Sequence, residues 1–105
     1  MDQLLGLRAT KIFLDLMEEW KKKDEGNTQT KLAKMIEYKN ASIINHFKNR
    51  KRILGFNRWE GVAVAFDVPL EIFILGDPNL TPKQNKQIVE KLLEQRRLLV
   101  KDILM

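Results

Sequence analysis

The sequence has no cysteine, so neither a disulfide bond nor a thiolate metal site can stabilise its fold. This absence is compatible with a reducing compartment, and we expect a cytoplasmic protein. His46 is the single histidine, and it has neither a cysteine nor a nearby carboxylate pair with which to form a zinc site. The sequence also lacks a phosphate-binding glycine loop, a Ser-His-Asp arrangement and a metalloprotease signature. We therefore expect neither enzymatic activity nor a cofactor.

Long apolar runs are also missing. No stretch approaches the roughly 20 apolar residues that span a bilayer, so no membrane partner is expected. Asp2, Arg8 and Lys11 interrupt the apolar residues at the start of the sequence, which is not the pattern of a signal peptide. The 105 residues, 44% hydrophobic and 31% charged, are typical of one small globular unit.

Positive charge is concentrated in residues 28–52. This quarter has seven Lys and Arg residues against Glu37 alone, a net charge of +6, whereas the whole chain carries +5. Such a concentration favours an anionic partner, nucleic acid above all. The alternative is that these cations are only the solvated faces of helices.

The same stretch predicts two short helices joined by a tight turn. Thr28 suits the N-cap of the first helix, and Leu32, Ala33 and Ile36 recur at the spacing of one buried face. The second helix is predicted to start near Lys39 or Asn40. Its faces divide into a polar side and an apolar side, with Ala41, Ser42 and Asn45 on the first and Ile43 and Phe47 on the second.

The pattern resembles the helix-turn-helix of the lambda-repressor and Cro-like (XRE-type) domains. The resemblance rests on Leu32-Ala33, on Ile43 ten residues after the alanine, and on Asn49 at the end of the second helix. The small Ala33 allows two helices to cross closely. Residues 57–66 and 68–76 resemble the fourth and fifth helices of that family. The resemblance implies an all-α, five-helix DNA-binding domain over residues 1–76.

Two positions depart from the family pattern. Glu37 stands in the turn where the family usually has a left-handed glycine, and a non-glycine residue tolerates that conformation poorly. Asn49 replaces the glycine preferred at the end of the second helix and is predicted to be a left-handed C-cap. Further along, Asn57 is predicted to cap the fourth helix. Three apolar residues of the fifth helix are expected to complete the core: Leu70, Phe73 and Ile74.

The resemblance also implies which residues contact DNA. The candidate base contacts are Asn40, Ala41, Ser42 and Asn45, and Ile44 either contacts thymine methyl groups or fills the core. The candidate phosphate contacts are Gln29, Lys39, Lys48, Arg50, Lys51 and Arg52. His46 occupies a position where the family often has a mostly buried residue, so we expect it to be a packed or partly exposed neighbour of the core and neither a ligand nor a catalytic residue.

The two ends of the chain are predicted to be long helices. Residues 4–22, with Asp2 as a possible cap, show an apolar stripe of core residues, namely Leu5, Ile12, Phe13, Leu16, Met17 and Trp20. Thr81 and Pro82 form a strong helix start, and nothing interrupts the helix from there to Met105. Its broad apolar face predicts a dimerisation element over residues 77–105, with Ile88, Leu92, Leu99 and Ile103 as contacts. Alternatively, this helix folds back as a sixth core helix or binds another protein.

These patterns together predict a sequence-specific regulator of transcription that binds double-stranded DNA, as a repressor and as a homodimer. One alternative is a protein-interaction module, such as an antitoxin-like regulator whose C-terminal helix binds a regulatory protein partner. Another is nonspecific DNA binding that depends only on charge.

Overall fold

The computed structural model describes residues 3–39 and 41–104, and over these residues the chain is all-helical, without strands. The α-helices are α1 (Gln3–Lys23), α2 (Gln29–Met35), α3 (Ser42–Lys48), α4 (Trp59–Phe66), α5 (Ile72–Leu75) and α6 (Pro82–Leu104), with a 3₁₀ turn at Phe56–Arg58. None of the helices in this part of the chain is long and apolar enough to cross a membrane. The predicted cap Asp2 and the predicted helix end at Met105 lie outside the described residues.

Helix α1 forms the centre of the core and confirms the predicted apolar stripe. Its residues Ile12, Phe13, Leu16 and Met17 are buried, because their spacing places them on one face of the helix. The stripe extends to the half-buried Leu5 and Trp20, which pack against the same core. This face of α1 contacts α3, α4, α5 and α6.

The start of α4 differs from the prediction. Asn57 is not its cap, because residues 56–58 form the 3₁₀ turn and α4 begins at Trp59. Trp59, Val62 and Ala63 are buried, and α4 ends at Asp67, which has a left-handed φ of 55°.

The core residues of α5 also differ from the prediction. Ile72 and Phe73 are buried, whereas Leu70 is 39% exposed and Ile74 is 48% exposed. The helix begins only at Ile72, after a turn in which the Ile72 amide donates to the Pro69 carbonyl at 3.1 Å. Consecutive helix residues point about 100° apart, so Ile72 and Phe73 share the half of this single turn that faces the core. Ile74, about 200° from Ile72, points away from it.

The start of α6 has the predicted cap. The Thr81 hydroxyl accepts a hydrogen bond from the backbone N–H of Gln84 at 3.2 Å. The side-chain oxygen of Gln84 accepts in turn from the backbone N–H of Thr81 at 2.9 Å. This reciprocal pair is a capping box, with Pro82 at the first helical position.

The first half of α6 docks on the core through one face. Asn85 is buried, and its amide accepts from the Asp77 backbone N–H at 2.8 Å and donates to the Asp77 carbonyl at 3.0 Å. Val89 is fully buried and Leu93 packs against the core. Residues 94–103 are all exposed. The first half of the helix therefore packs on the core as a sixth core helix would, whereas the second half does not contact the core.

We predict that Gly76→Ala destabilises the protein by about 1–3 kcal/mol, as expected for overpacking. A Cβ atom at Gly76 would lie 2.4 Å from the Ile72 carbonyl oxygen and 3.0 Å from Ile12, so the junction of α5 with α6 would have to move. Gly61→Ala is the matched control, because a Cβ atom there meets nothing within 4 Å and alanine favours the helix. Urea denaturation measures both variants, and equal stability of the two would contradict the prediction.

Candidate nucleic-acid interface

Helix α2 has the predicted cap and the predicted buried face. The Thr28 hydroxyl accepts from the Lys31 amide at 3.1 Å, which satisfies one of the unpaired donors of the first turn. Leu32, Ala33 and Ile36 are buried, as their spacing predicts.

Helix α3 begins at Ser42, two or three residues later than predicted. Its buried side chains are Ile44, which is fully buried, and Phe47. Ile43, predicted to share the apolar face with Phe47, is only half-buried. Ile44 therefore fills the core, and its assignment as a base contact is wrong.

The outward face of α3 is polar. Ser42, Asn45, His46 and Asn49 are all exposed, and their spacing of three, four and seven residues places them on one side of the helix. His46, expected to be a packed or partly exposed neighbour of the core, is exposed and shares this outward face. The spacing of the four residues was the signal in the sequence that could have found His46 and Asn49. We name these four residues the α3 ridge.

The other candidate base contacts are less exposed or are not described. Ala41 precedes α3 and is half-buried against the core. Asn40 lies outside the described residues.

The turn between α2 and α3 has the left-handed conformation expected of a glycine. Glu37 has a φ of 64°, which costs a residue with a Cβ about 1–2 kcal/mol. Arg58, from the 3₁₀ turn, stabilises this conformation, because its guanidinium donates to the Ile36 carbonyl at 3.1 Å and to the Glu37 carbonyl at 3.5 Å. The same guanidinium lies over the ring of Tyr38, 4.6 Å from its centroid. Arg58 thus joins the turn to the start of α4.

Tyr38 connects the turn to α3. Its ring meets that of Phe47 edge to face, with centroids 6.0 Å apart. Burial raises the pKa of the Tyr38 hydroxyl above its ordinary value of 10.0, and the positive charges of Arg58 and Arg52 act in the opposite direction.

A basic segment, Arg50 to Arg52, follows α3. The predicted left-handed cap at Asn49 is wrong: Asn49 has a φ of −88°, and Arg50 adopts the left-handed conformation at 59°. The Lys51 and Arg52 amides both donate to the His46 carbonyl, at 2.9 and 3.3 Å. The segment therefore folds back over the last turn of α3.

The far end of the basic segment is attached to the core. The Leu54 amide donates to the buried Thr10 hydroxyl of α1 at 2.8 Å, and the Leu54 carbonyl accepts from the Trp59 indole at 3.2 Å. These bonds satisfy both backbone groups of a fully buried residue. The loop that presents the three cations is consequently held at both ends.

Two clefts with basic side chains adjoin α3. The first is lined by Lys39 and Arg52 together with Tyr38, Ser42, Ile43 and His46. The second lies between α1 and the end of α3, and its basic residues are Arg8, Lys11, Lys48, Arg50 and Arg52. Ser42 and His46 of the α3 ridge line the first cleft, and Arg52 lines both clefts, so positive charge lies beside the ridge.

The candidate phosphate contacts are largely accessible. The five cations among these candidates are exposed and form no ion pair with a carboxylate of the described residues, namely Lys39, Lys48, Arg50, Lys51 and Arg52. Gln29, in the first turn of α2, is half-buried. Arg8 and Lys11 were not predicted; Arg8 donates to the Gly76 carbonyl at 3.0 Å, and Lys11 pairs with Asp15 at 2.7 Å.

Comparison with known proteins gives no family model, no curated protein and no solved structure that matches this chain.

We predict that Glu37→Gly raises the free energy of unfolding by about 1 kcal/mol, because glycine adopts the left-handed conformation without steric cost. Glu90→Gly, at an exposed position inside α6, is the matched control and is expected to lower it by about 1 kcal/mol. Urea denaturation measures both changes. If Glu37→Gly lowered the stability as much as the control does, the left-handed conformation of Glu37 would not be a source of strain.

The single tyrosine permits a direct test of the environment at Tyr38. The absorbance of the phenolate should titrate above pH 10.0 in the folded protein and return to the ordinary value in denaturant. Because the folded-state pKa is raised, this group's contribution to stability is present below pH 10.0 and is lost as the pH rises through the folded-state pKa. Arg58→Gln should raise the titration midpoint further, whereas the exposed Lys34→Gln should not change it. Identical titration midpoints in the folded and the unfolded protein would show that burial does not raise the pKa of the Tyr38 hydroxyl.

Proposed function

We propose that this protein binds double-stranded DNA in a sequence-specific manner and regulates transcription as a dimeric repressor. On this proposal α2 and α3 form a helix-turn-helix of the lambda-repressor and Cro-like type, and α3 enters the major groove. The observation that carries the proposal is the α3 ridge, an exposed row of hydrogen-bonding side chains beside two clefts lined with basic residues. A helix in the major groove likewise lies close to backbone phosphates, which basic side chains beside it can contact.

The chemistry of the α3 ridge suits base recognition. The Asn45 amide can donate and accept at once, which matches the N6 and N7 edge of adenine. Ser42 and His46 can each donate or accept a hydrogen bond, and the methyl group of Ala41 can contact thymine. The ridge contains no arginine for bidentate reading of guanine, which favours A/T-rich half-sites.

The basic residues around α3 would supply affinity without reading sequence. Lys39 and Lys48 flank the ridge, and the cations of the basic segment lie on a loop that is anchored at Leu54. Cations held in this way neutralise phosphates and release counterions, so binding should weaken steeply with salt.

A second candidate function is a protein-interaction module of the antitoxin-like kind. The exposed second half of α6 favours it, because Leu99 is 61% and Ile103 is 73% exposed. In that case the protein would bind a partner through α6, and substitutions on the α3 ridge would have no effect on its activity.

The experiment that tests the proposal is selection from a random duplex pool at about 150 mM salt, which weakens nonspecific electrostatic binding. Enrichment of an inverted repeat with half-sites roughly 34 Å apart is the expected result. A folded protein that enriches no sequence would exclude specific DNA reading and favour the protein-interaction module.

We predict different effects for two substitutions around α3. Asn45→Ala should weaken binding to the selected site by about 1–3 kcal/mol and relax the preference at one base pair, because it removes a base contact. Lys51→Ala should weaken binding to all sequences, because it removes a phosphate contact. It should also reduce by about 1 the slope of the logarithm of the binding constant against the logarithm of the salt concentration.

Fluorescence anisotropy on the selected duplex and on a scrambled duplex measures both effects. Gln87→Ala, at an exposed position on α6, is the control and should bind like the unaltered protein. If Asn45→Ala weakened binding to both duplexes equally, binding would be nonspecific.

A further inference from the structure

The exposed half of α6 continues the face by which the first half docks. Asn85 and Val89 lie on the docked face, and Leu92, Leu99 and Ile103 continue it at the spacing of a coiled-coil seam. Leu92 is 43% exposed, and the exposure of Leu99 and Ile103 is still greater. This apolar seam therefore leaves the core and extends along residues 94–103 without a partner among the described residues.

We infer that a second copy of this chain covers the seam, with the two α6 helices antiparallel and crossing at Leu99. This inference rests on the proposed dimeric regulator and specifies how its two subunits pair. An antiparallel pair about Leu99 sets residues 95–103 of each helix against those of the other, so that Leu99 and Ile103 are both covered. The overlap is about 13 Å long at 1.5 Å per residue.

The docked half of the helix excludes a parallel pair. A parallel partner would run along the same face through residues 85–93, where α1 and α5 already pack. In the antiparallel arrangement each helix meets only the undocked half of the other, and the two folded bodies lie at opposite ends of the pair.

The charges on α6 also favour antiparallel pairing. Arg96 lies within the seam, and Asp102 lies at its edge. Both residues are three positions from Leu99, so antiparallel pairing about Leu99 sets Arg96 opposite Asp102 of the partner subunit, twice in the dimer. A parallel pair would instead place two Arg96 side chains together, and like charges at such positions are unfavourable.

Among the described residues, neither of these two charges is already in an ion pair. Arg97 pairs with Glu94 at 3.3 Å, whereas Arg96 and Asp102 form no ion pair with any described residue. The intermolecular pair would therefore replace no ion pair of that part of the chain.

Single-cysteine variants test the direction, since the unaltered chain has no cysteine. Leu99→Cys should form a disulfide-linked dimer on mild oxidation, because it lies at the crossing point. Leu92→Cys should not, since its two copies would lie about 21 Å apart along an antiparallel pair, well beyond the ~7 Å limit between Cα atoms. Leu98→Cys, exposed beside Leu99 but away from the seam, controls for random collisions.

Crosslinking at Leu99 alone would support the inference. Crosslinking at both Leu92 and Leu99 would show a parallel pair, and crosslinking at neither would show that the seam is not a dimer contact; either outcome overturns it. Circular dichroism should show that all three variants keep the helical content of the unaltered protein.

Charge variants test the register independently. Arg96→Asp and Asp102→Arg should each weaken dimerisation on the order of tenfold, because each places like charges together at two symmetric sites. The double variant should restore the dissociation constant measured by analytical ultracentrifugation. Lys101→Glu, on the opposite side of α6, reverses a charge without facing the seam and should have little effect. If the double variant dimerised as weakly as the single variants, the proposed register would be overturned.

Failure of the pairing and failure of DNA binding are distinguishable. A monomeric protein that still selects a DNA sequence through the α3 ridge would overturn only the α6 pairing. A dimer that crosslinks at Leu99 but selects no sequence would overturn only the DNA-binding proposal.

Discussion

The burial of one face of α1 is the constraint on which the rest of the structure depends. Four other helices pack on this face, and its Phe13 ring meets the Phe47 ring of α3 edge to face at 5.7 Å. Thr10, on the same helix, holds Leu54 and so anchors the loop that presents the basic segment. The candidate interface and the docked half of α6 are thus positioned by the same helix, although they lie at different surfaces.

Backbone strain lies on both sides of α3. Glu37 and Arg50 both have left-handed φ angles, one before the helix and one after it. Each costs about 1–2 kcal/mol, so surrounding contacts must stabilise the conformation. At Glu37 the stabilising group is Arg58, which binds two carbonyl groups of the turn and covers Tyr38. The result is a short helix with a strained residue before it and another after it.

The two halves of α6 have different environments although the sequence pattern is continuous. The first half is held by the buried Asn85 and Val89, and the second half exposes Leu99 and Ile103. The same apolar face therefore stabilises the single chain at one end and remains available to a second chain at the other. This division makes the proposed dimer compatible with an intact monomer fold.

The sequence by itself determined the features that depend on local chemistry. Regular spacing in α1, the caps at Thr28 and Thr81, and the concentration of positive charge in residues 28–52 were all predictable, because each depends on neighbours within a few residues. The all-helical class followed from these signals.

The tertiary structure decided which side of each short helix faces the core. Helix α3 has apolar residues at positions 43, 44 and 47, which together cover too much of its circumference for periodicity to select one face. Contact between Phe47 and α1 selects it, which buries Ile44 and turns His46 outward. The strained conformation of Arg50, and the point at which α6 leaves the core, likewise depend on contacts between residues distant in sequence. The spacing of residues along the chain contains no information about those contacts.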